Sequence, residues 1–193
     1  YQPTNALNLS FETAFNENPN RTQYVSQQDF GETPRYVLGE IDQQTWSTSV
    51  RVNYSLNPNL SLQFYGSPFI TRGRYSNFNY VKNAAAKNLN DRVTWYNANQ
   101  ITEDDGVFLV DENEDATTDY AFGNPDFSFV QFRSNMVIRW EYIPGSELFL
   151  VWSRGVTGFG NPNESLTNSI QNQIFDKEPD DTFLLKLTYR FVK

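Results

Sequence analysis

Apolar and polar side chains alternate most regularly on either side of the Pro-Gly-Ser sequence at residues 144–146. Even positions over residues 136–142 are apolar or aromatic, and odd positions over residues 135–141 are polar or charged except for Val137. Proline and glycine favour a tight reversal at this point, and residues 148–152 lead back along the first segment. The pattern therefore predicts an antiparallel hairpin with one apolar face and one polar face.

The same alternation recurs elsewhere and predicts further strands. Residues 46–56 form the most regular stretch, with about the 9–11 residues expected of a tilted transmembrane strand. Asn-Pro-Asn at residues 57–59 predicts a second tight turn, and polar clusters predict further reversals at residues 16–20 and 42–44. The remaining predicted strands lie at residues 7–11, 36–41, 60–65 and 183–191.

Two long stretches, residues 71–125 and 155–181, lack this alternation. Structureless connections of such length are uncommon inside a compact domain, so both are predicted to be external loops. The second contains Leu166, Ile170 and Ile174 at helical spacing behind a candidate cap, Asn163, which predicts a short helix.

Composition favours a membrane barrel over a soluble sandwich. Aromatic residues make up 16% of the 193-residue chain, yet mean hydropathy is −0.61. Lipid-facing residues that alternate with lumen residues, diluted by polar loops, give this combination. No apolar run approaches the roughly 20 residues of a spanning helix, so insertion would be by strands. We therefore expect an all-β, antiparallel transmembrane β-barrel with two long extracellular loops.

Absent residue types exclude several kinds of chemistry. The chain has no cysteine and no histidine, which excludes disulfides, thiolate chemistry, Ser-His-Asp triads and the usual zinc sites within it. Its formal net charge of −8 argues against nucleic acid as a partner. Residue 1 is not followed by the basic and apolar regions of a signal peptide, and we expect residues 1–193 to be the later part of a longer product.

Three stretches, residues 35–76, 133–155 and 182–191, together carry a family resemblance, most specifically through Arg-Trp-Glu-Tyr, Pro-Gly-Ser and Val-Trp within residues 139–152. The chain resembles the carboxyl-terminal domain of an uncharacterised family of bacterial outer-membrane proteins, in which a family-nine carbohydrate-binding-like module precedes a β-barrel. The resemblance implies that this chain is the carboxyl-terminal part of a larger barrel in the outer membrane of a Gram-negative bacterium. It also implies that an amino-terminal module and earlier strands precede it. It implies no particular reaction.

Charged residues on the polar faces of the predicted strands are candidates for the lumen lining. One hypothesis is a selectivity lining for an anionic or sugar solute. The alternative is a salt-bridged network that fills or stiffens the barrel, which is the more common arrangement because charges away from water persist when paired. The candidates are Arg51, Arg139, Glu141, Lys186 and Arg190.

The acidic segment of the first long loop contains half of a calcium motif. Asp111, Asn113 and Asp115 match the opening of a calcium-binding loop, whose oxygen ligands suit Ca²⁺. Ala116 replaces the turn glycine and Phe122 replaces the bidentate glutamate. A solvated acidic loop is the favoured interpretation, so no cofactor is expected and calcium stays a weak alternative.

Aromatic residues of the same loop are candidates for stacking on glycan rings, although such residues more often pack a loop onto the barrel or mark the membrane boundary. They are Tyr75, Tyr80, Trp95 and Tyr96. Glu40, Asp42 and Glu141 could supply the two carboxylates of a glycosidase, but pairing with arginine is the default expectation.

Three functions remain open at this point. The first is a barrel that captures glycans or related solutes and passes them across the outer membrane. The second is a closed barrel that anchors a carbohydrate-binding module or a larger surface complex with other outer-membrane subunits. The third, and least favoured, is a polysaccharide hydrolase. Outer-membrane lipid is the expected partner in the first two, and a glycan is a further candidate.

Overall fold

The computed structural model describes residues 1–191, which form an all-β protein of antiparallel strands. In chain order the elements are β1 Leu7–Phe30, β2 Thr33–Asn57, β3 Leu60–Val81, α1 Leu89–Arg92, β4 Val93–Trp95, β5 Ile101–Asp104, β6 Val107–Val110, β7 Tyr120–Gly123, β8 Phe127–Ile143, β9 Ser146–Phe159, α2 Leu166–Ile170, a π-helical turn Gln171–Phe175, and β10 Asp180–Leu187. The all-β, antiparallel class expected from the alternation is confirmed.

The strands form two sheets. The larger has the order β1-β2-β3-β8-β9-β10, with β4 paired to β3, and the smaller has the order β5-β6-β7. Within residues 1–191 the path of the larger sheet ends at β1 and at β10 and does not close on itself. No helix within residues 1–191 has the length and apolar character needed to cross a membrane.

The chain divides into two compact units. Unit 1 comprises residues 1–16, 44–72 and the chain from Ser128 onward, and unit 2 comprises residues 17–43 and 73–127. Strands β1, β2 and β3 contribute residues to both units. Each unit has a hydrophobic core of its own.

Both predicted tight turns are confirmed. Strand β8 ends at Ile143 and β9 begins at Ser146, so Pro144 and Gly145 form the reversal. Gly145 has φ +80°, a left-handed conformation that glycine adopts without steric cost. Likewise β2 ends at Asn57 and β3 begins at Leu60. The Pro-Gly and Asn-Pro-Asn signals therefore located the two short connections correctly.

The reversals predicted at residues 16–20 and 42–44 are wrong. The first stretch lies inside β1 and the second inside β2. Residues 16–20 are exposed, so polar side chains are compatible with a strand at this position and do not require a turn. Pro19 is tolerated there because β1 ends the sheet, and an edge strand need not donate every backbone hydrogen bond.

The two stretches predicted to be loops contain more regular structure than expected. Strand β3 continues to Val81, and residues 93–123 contribute β4 and the whole of the smaller sheet. In the second stretch β9 continues to Phe159 before the predicted helix, which is confirmed as α2 and its π-helical turn. The helix cap is Ser165, whose hydroxyl accepts a hydrogen bond from the backbone N–H of Asn168, and not Asn163.

The helical segment of unit 1 packs against the beginning of β8 and the end of β9. Ile174 is buried against Ile70 and Val130, and Leu166 and Ile170 pack beside it, as their helical spacing predicts. Gly158 allows this close approach, because a Cβ atom there would lie 2.8 Å from the Cβ of Gln173. The helical segment therefore covers only the end of this sheet face that contains Val130 and Gly158.

Candidate functional site

One face of unit 1 carries three adjacent rows of apolar side chains. Directly opposed residues of antiparallel strands point to the same face of a sheet, so the strand register defines each row. The rows, which we call the apolar face, are Met136–Trp152–Phe183, Ile138–Leu150–Leu185 and Trp140–Leu148–Leu187. The three rows contain no polar residue.

The apolar face is open to its surroundings. Leu185 is 67% exposed, Leu187 62% and Trp140 49%, although all three belong to strands of regular geometry. Single exposed apolar residues are ordinary in soluble proteins, whereas a contiguous apolar patch is typical of a surface that contacts another protein or a membrane. Leu150 and Phe183 are exposed too, and the other four residues of the face are half-buried, so none of the nine belongs to a buried core.

A polar and aromatic boundary ends the apolar face. The next row is Ser134–Arg154–Asp181, in which Arg154 Nη2 lies 2.8 Å from Asp181 Oδ2. The indole N–H of Trp152 donates to Asp181 Oδ1 at 2.8 Å, and its ring lies nearly parallel to that of Phe183. An indole with an apolar body and a polar contact suits a boundary between apolar and aqueous surroundings.

The opposite face of the same strands, the polar face, carries the predicted charged residues. Arg139, Phe149 and Lys186 form one row. Arg139 Nε donates to Glu147 Oε1 at 2.9 Å, and Lys186 Nζ lies 5.6 Å from the centre of the Phe149 ring. The register thus places Arg139, Lys186 and, one row further, Glu141 on a single face.

Two predicted lumen residues lie at the turn between β8 and β9. A carboxylate oxygen of Glu141 accepts the backbone N–H of Gly145 at 2.7 Å, which stabilises the reversal. The backbone N–H of Arg190 donates to Ser146 Oγ at 3.0 Å. The side-chain stem of Arg190 covers Gly145, where a Cβ would come within 2.5 Å of its Cδ atom. These contacts give both residues a structural role at the turn.

Arg51 occupies a different environment from the other candidates. It lines a cavity of about 170 Å³ in unit 1, and its guanidinium lies 4.6 Å from the centre of the Tyr65 ring. Within residues 1–191 it forms no ion pair with a carboxylate. The cavity is lined by Arg51, Asn53, Gln63, Phe64, Tyr65, Asn135 and Val137.

Unit 2 contains a buried ionic network that sequence inspection missed. Arg35 Nε lies 2.9 Å from one oxygen of Glu112 and 3.0 Å from the other, and the two side chains are only 18% and 9% exposed. The hydroxyl of Tyr120 donates to Glu112 at 2.6 Å and lies 3.0 Å from the hydroxyl of Tyr96. The guanidinium also lies about 5 Å from the ring centres of Phe30 and Tyr80.

The network shifts the protonation equilibria of its members. Burial acts to raise the pKa of Glu112, but hydrogen bonds from Arg35 and Tyr120 outweigh it and hold the pKa below its ordinary value of 4.5. Burial raises the pKa of Tyr96, and burial together with the contact to Glu112 raises that of Tyr120. At neutral pH the network therefore holds one carboxylate, one guanidinium and neutral phenols.

We expect unit 2 to lose stability as the pH falls below about 4.5. The pKa of Glu112 is lower in the folded state than in the unfolded state, so its contribution is complete above the unfolded value and is lost as Glu112 becomes protonated. Hydrogen exchange of β6 and β7 amides, corrected for intrinsic exchange rates, should show this loss. The variant Glu112→Gln should lack this component of the pH dependence, and an unchanged profile would contradict the assignment.

The candidate stacking residues are placed differently from one another. Tyr96 is buried in the core of unit 2, Tyr75 and Tyr80 are half-buried, and Trp95 is 37% exposed. The backbone N–H of Tyr75 donates to a carboxylate oxygen of Asp126 at 2.6 Å. Of the four rings, that of Trp95 is the most accessible to a ligand.

The candidate calcium ligands accept hydrogen bonds from their own loop. The two carboxylate oxygens of Asp111 accept the backbone N–H groups of Asp115 and Ala116, and Asp115 accepts that of Thr117. The described part of the chain holds no group of three or more histidine, cysteine, aspartate or glutamate residues placed to bind a metal. These contacts are those of a loop stabilised by its own side chains.

The candidate hydrolase carboxylates also have partners. Glu40 accepts a hydrogen bond from the amide of Asn77 at 2.7 Å, and Asp42 lies 3.3 Å from Arg74 Nη2. Both belong to unit 2, whereas Glu141 belongs to unit 1 and caps the turn at Gly145.

Comparison with known proteins gives one positive finding. Neither the curated proteins nor the solved structures contain a match to the chain. A family model, described as Domain of unknown function (DUF5916), matches residues 1–192, which is nearly the whole sequence. The chain therefore belongs to the DUF5916 family.

Proposed function

We propose that this chain supplies strands of a transmembrane β-barrel in the outer membrane of a Gram-negative bacterium. The observation that carries the proposal is the apolar face, in which five of the nine side chains are exposed and none is buried, although they belong to regular strands. Contact of such a surface with lipid tails is favourable, whereas its exposure to water costs free energy. Trp152 and its contact with Asp181 would then lie at the level of the lipid headgroups.

The role that we propose for this barrel is the capture and passage of glycans or related solutes at the cell surface. Its polar face would line the lumen, and the segment between β3 and β8 would lie outside the cell. The alternation of the two faces supports this role, because a barrel wall needs lipid contacts on one side and water or solute contacts on the other. Arg51, with no carboxylate partner in the described residues, is available for a solute.

A second candidate function is a closed barrel that anchors a surface module or complex. Arg139 is already paired with Glu147, and Lys186 lies against Phe149, so part of the polar face satisfies its own charges. Such contacts suit a filled interior as well as an open one. Ion conductance across a planar bilayer that contains the full-length protein separates the two roles, since only an open lumen conducts.

Membrane placement can be tested with single cysteines, because the chain has none of its own. Leu185→Cys and Lys186→Cys place one thiol on each face of the same strand. With an environment-sensitive fluorophore attached, the first should be quenched by nitroxide-labelled lipid. The second should be quenched by aqueous iodide instead.

The two cysteine variants are matched controls for each other, because they differ by one residue along an exposed strand. Quenching of both by iodide, with no effect of the labelled lipid, would show that the apolar face does not meet hydrocarbon. The proposal would then be wrong whatever the conductance of the protein.

A further inference from the structure

We propose that the cavity around Arg51 is a binding site for a sugar that carries a carboxylate, such as a hexuronate unit of an acidic glycan. The inference rests on the proposed capture of solutes and names the class of solute. Three features carry it: a guanidinium that lies over an aromatic ring and has no carboxylate partner within residues 1–191, carboxamides around it, and a cavity of about 170 Å³ that brings them together.

The guanidinium of Arg51 is held in place by a ring, and within the described residues no carboxylate neutralises it. Its contact with the Tyr65 ring restricts the side chain without supplying a negative charge. Arg139 on the same sheet shows the contrasting arrangement, because Glu147 already occupies its donors. A planar guanidinium with free donors forms two parallel hydrogen bonds to a carboxylate.

Carboxamides complete the cavity. Those of Asn53 and Gln63 form no hydrogen bond with another residue in the described part of the chain, and Asn135 accepts the Ser153 hydroxyl at 2.6 Å through its oxygen. The amide nitrogen of Asn135 thus remains available. Amide groups both donate and accept hydrogen bonds, as do sugar hydroxyls, so the three side chains suit a hydroxylated ligand.

Both chemical features are needed to define the ligand class. A neutral sugar would not neutralise the charge of Arg51. A simple carboxylate such as acetate would form no hydrogen bonds with the carboxamides. The guanidinium of Arg51 covers one face of the Tyr65 ring, and we therefore assign to Tyr65 the role of orienting Arg51. A sugar acid matches the cation and the carboxamides together.

The experiment is calorimetric titration of the folded full-length protein in detergent with trigalacturonate, maltotriose and acetate. We expect binding of trigalacturonate and no measurable binding of the other two. Arg51→Gln should weaken the binding of trigalacturonate by about 10- to 100-fold, the usual effect of removing a hydrogen bond to a charged group.

Arg133→Gln is the matched control. Arg133 is also an exposed arginine of unit 1, opposite Gly155 in the register of β8 and β9, and it does not line the cavity. Its replacement should change trigalacturonate affinity less than about twofold, because only screened, long-range attraction is lost. Asn135→Ala should weaken binding but by less than Arg51→Gln.

Three results would overturn the inference: no binding of trigalacturonate by the folded protein, equal binding of maltotriose, or an unchanged affinity in Arg51→Gln. The fluorophore at Leu185→Cys reports membrane placement independently of any ligand. If it is quenched by labelled lipid while trigalacturonate does not bind, the membrane assignment stands and only the ligand class fails.

Discussion

Replacing Glu112 with alanine is expected to destabilise unit 2 by about 3–5 kcal/mol. The substitution leaves the guanidinium of Arg35 largely buried and without its carboxylate, and it removes the acceptor of the Tyr120 hydroxyl. A buried charge without a partner retains its desolvation cost but loses the attraction that offset it. Hydrogen exchange of β6 and β7 amides in the folded protein measures the effect as lost protection.

The exposed ion pair of unit 2 provides the control. Arg74 and Asp42 are 44% and 49% exposed, so water already solvates both charges. Asp42→Asn should therefore cost less than about 1 kcal/mol. If Glu112→Ala lost no more protection than Asp42→Asn, burial of the ion pair would not be what stabilises this unit.

A third variant separates charge from packing. The double substitution Arg35→Met with Glu112→Leu removes both charges and keeps apolar volume beside Phe30 and Tyr80, which the guanidinium now contacts. Replacement of a complete buried ion pair by apolar residues is often neutral or stabilising. We expect this variant to recover most of the protection that Glu112→Ala loses.

The period-two pattern predicted the strands whose two faces differ in polarity. Residues 136–142 and 183–187 alternate except at Val137 and Leu184, and the register of β8, β9 and β10 gathers most of the other apolar residues of these strands into the three rows of the apolar face. The same pattern failed at residues 16–20, where both sides of β1 are exposed. A strand wetted on both sides has no reason to alternate, so its sequence looks like a turn.

The ionic network could not be found in the sequence. Arg35 and Glu112 are separated by 77 positions, and nothing in the neighbourhood of either residue distinguishes a buried charge from a solvated one. Glu112 also lies inside the acidic segment at residues 111–115, where solvation is the natural expectation. Only the pairing of β6 with β7 and the burial around them bring it to Arg35 and Tyr120.

The candidate lumen residues illustrate the same limit. Sequence placed Arg51, Arg139, Glu141 and Lys186 on polar faces, but it could not show which of them have partners. Pairing of Arg139 with Glu147 depends on the register across the hairpin, which adjoining sequence does not fix by itself. An arginine that is paired with a carboxylate stabilises the fold, whereas an arginine without such a partner is available to bind a ligand.

If the apolar face meets lipid as proposed, replacing Leu150 with arginine should destabilise the protein folded in vesicles by about 2–4 kcal/mol, the cost of a cation near the middle of a lipid-facing barrel wall. Leu150 lies in the central row of the apolar face, between Ile138 and Leu185, with another apolar row on each side of it along the strands. Urea titration of the full-length protein folded into lipid vesicles measures the loss as a lower unfolding midpoint.

The next residue along β9 makes the test specific to one face. Val151 pairs with Val137 and Leu184 on the polar face, so the arginine of Val151→Arg would extend into the proposed lumen. That variant should lose less than about 1 kcal/mol, because the cation stays in contact with water. A soluble protein gives a different ranking, since an arginine at the exposed apolar face would then improve hydration. Equal losses in the two variants, or a more stable Leu150→Arg protein, would therefore show that the apolar face does not contact lipid.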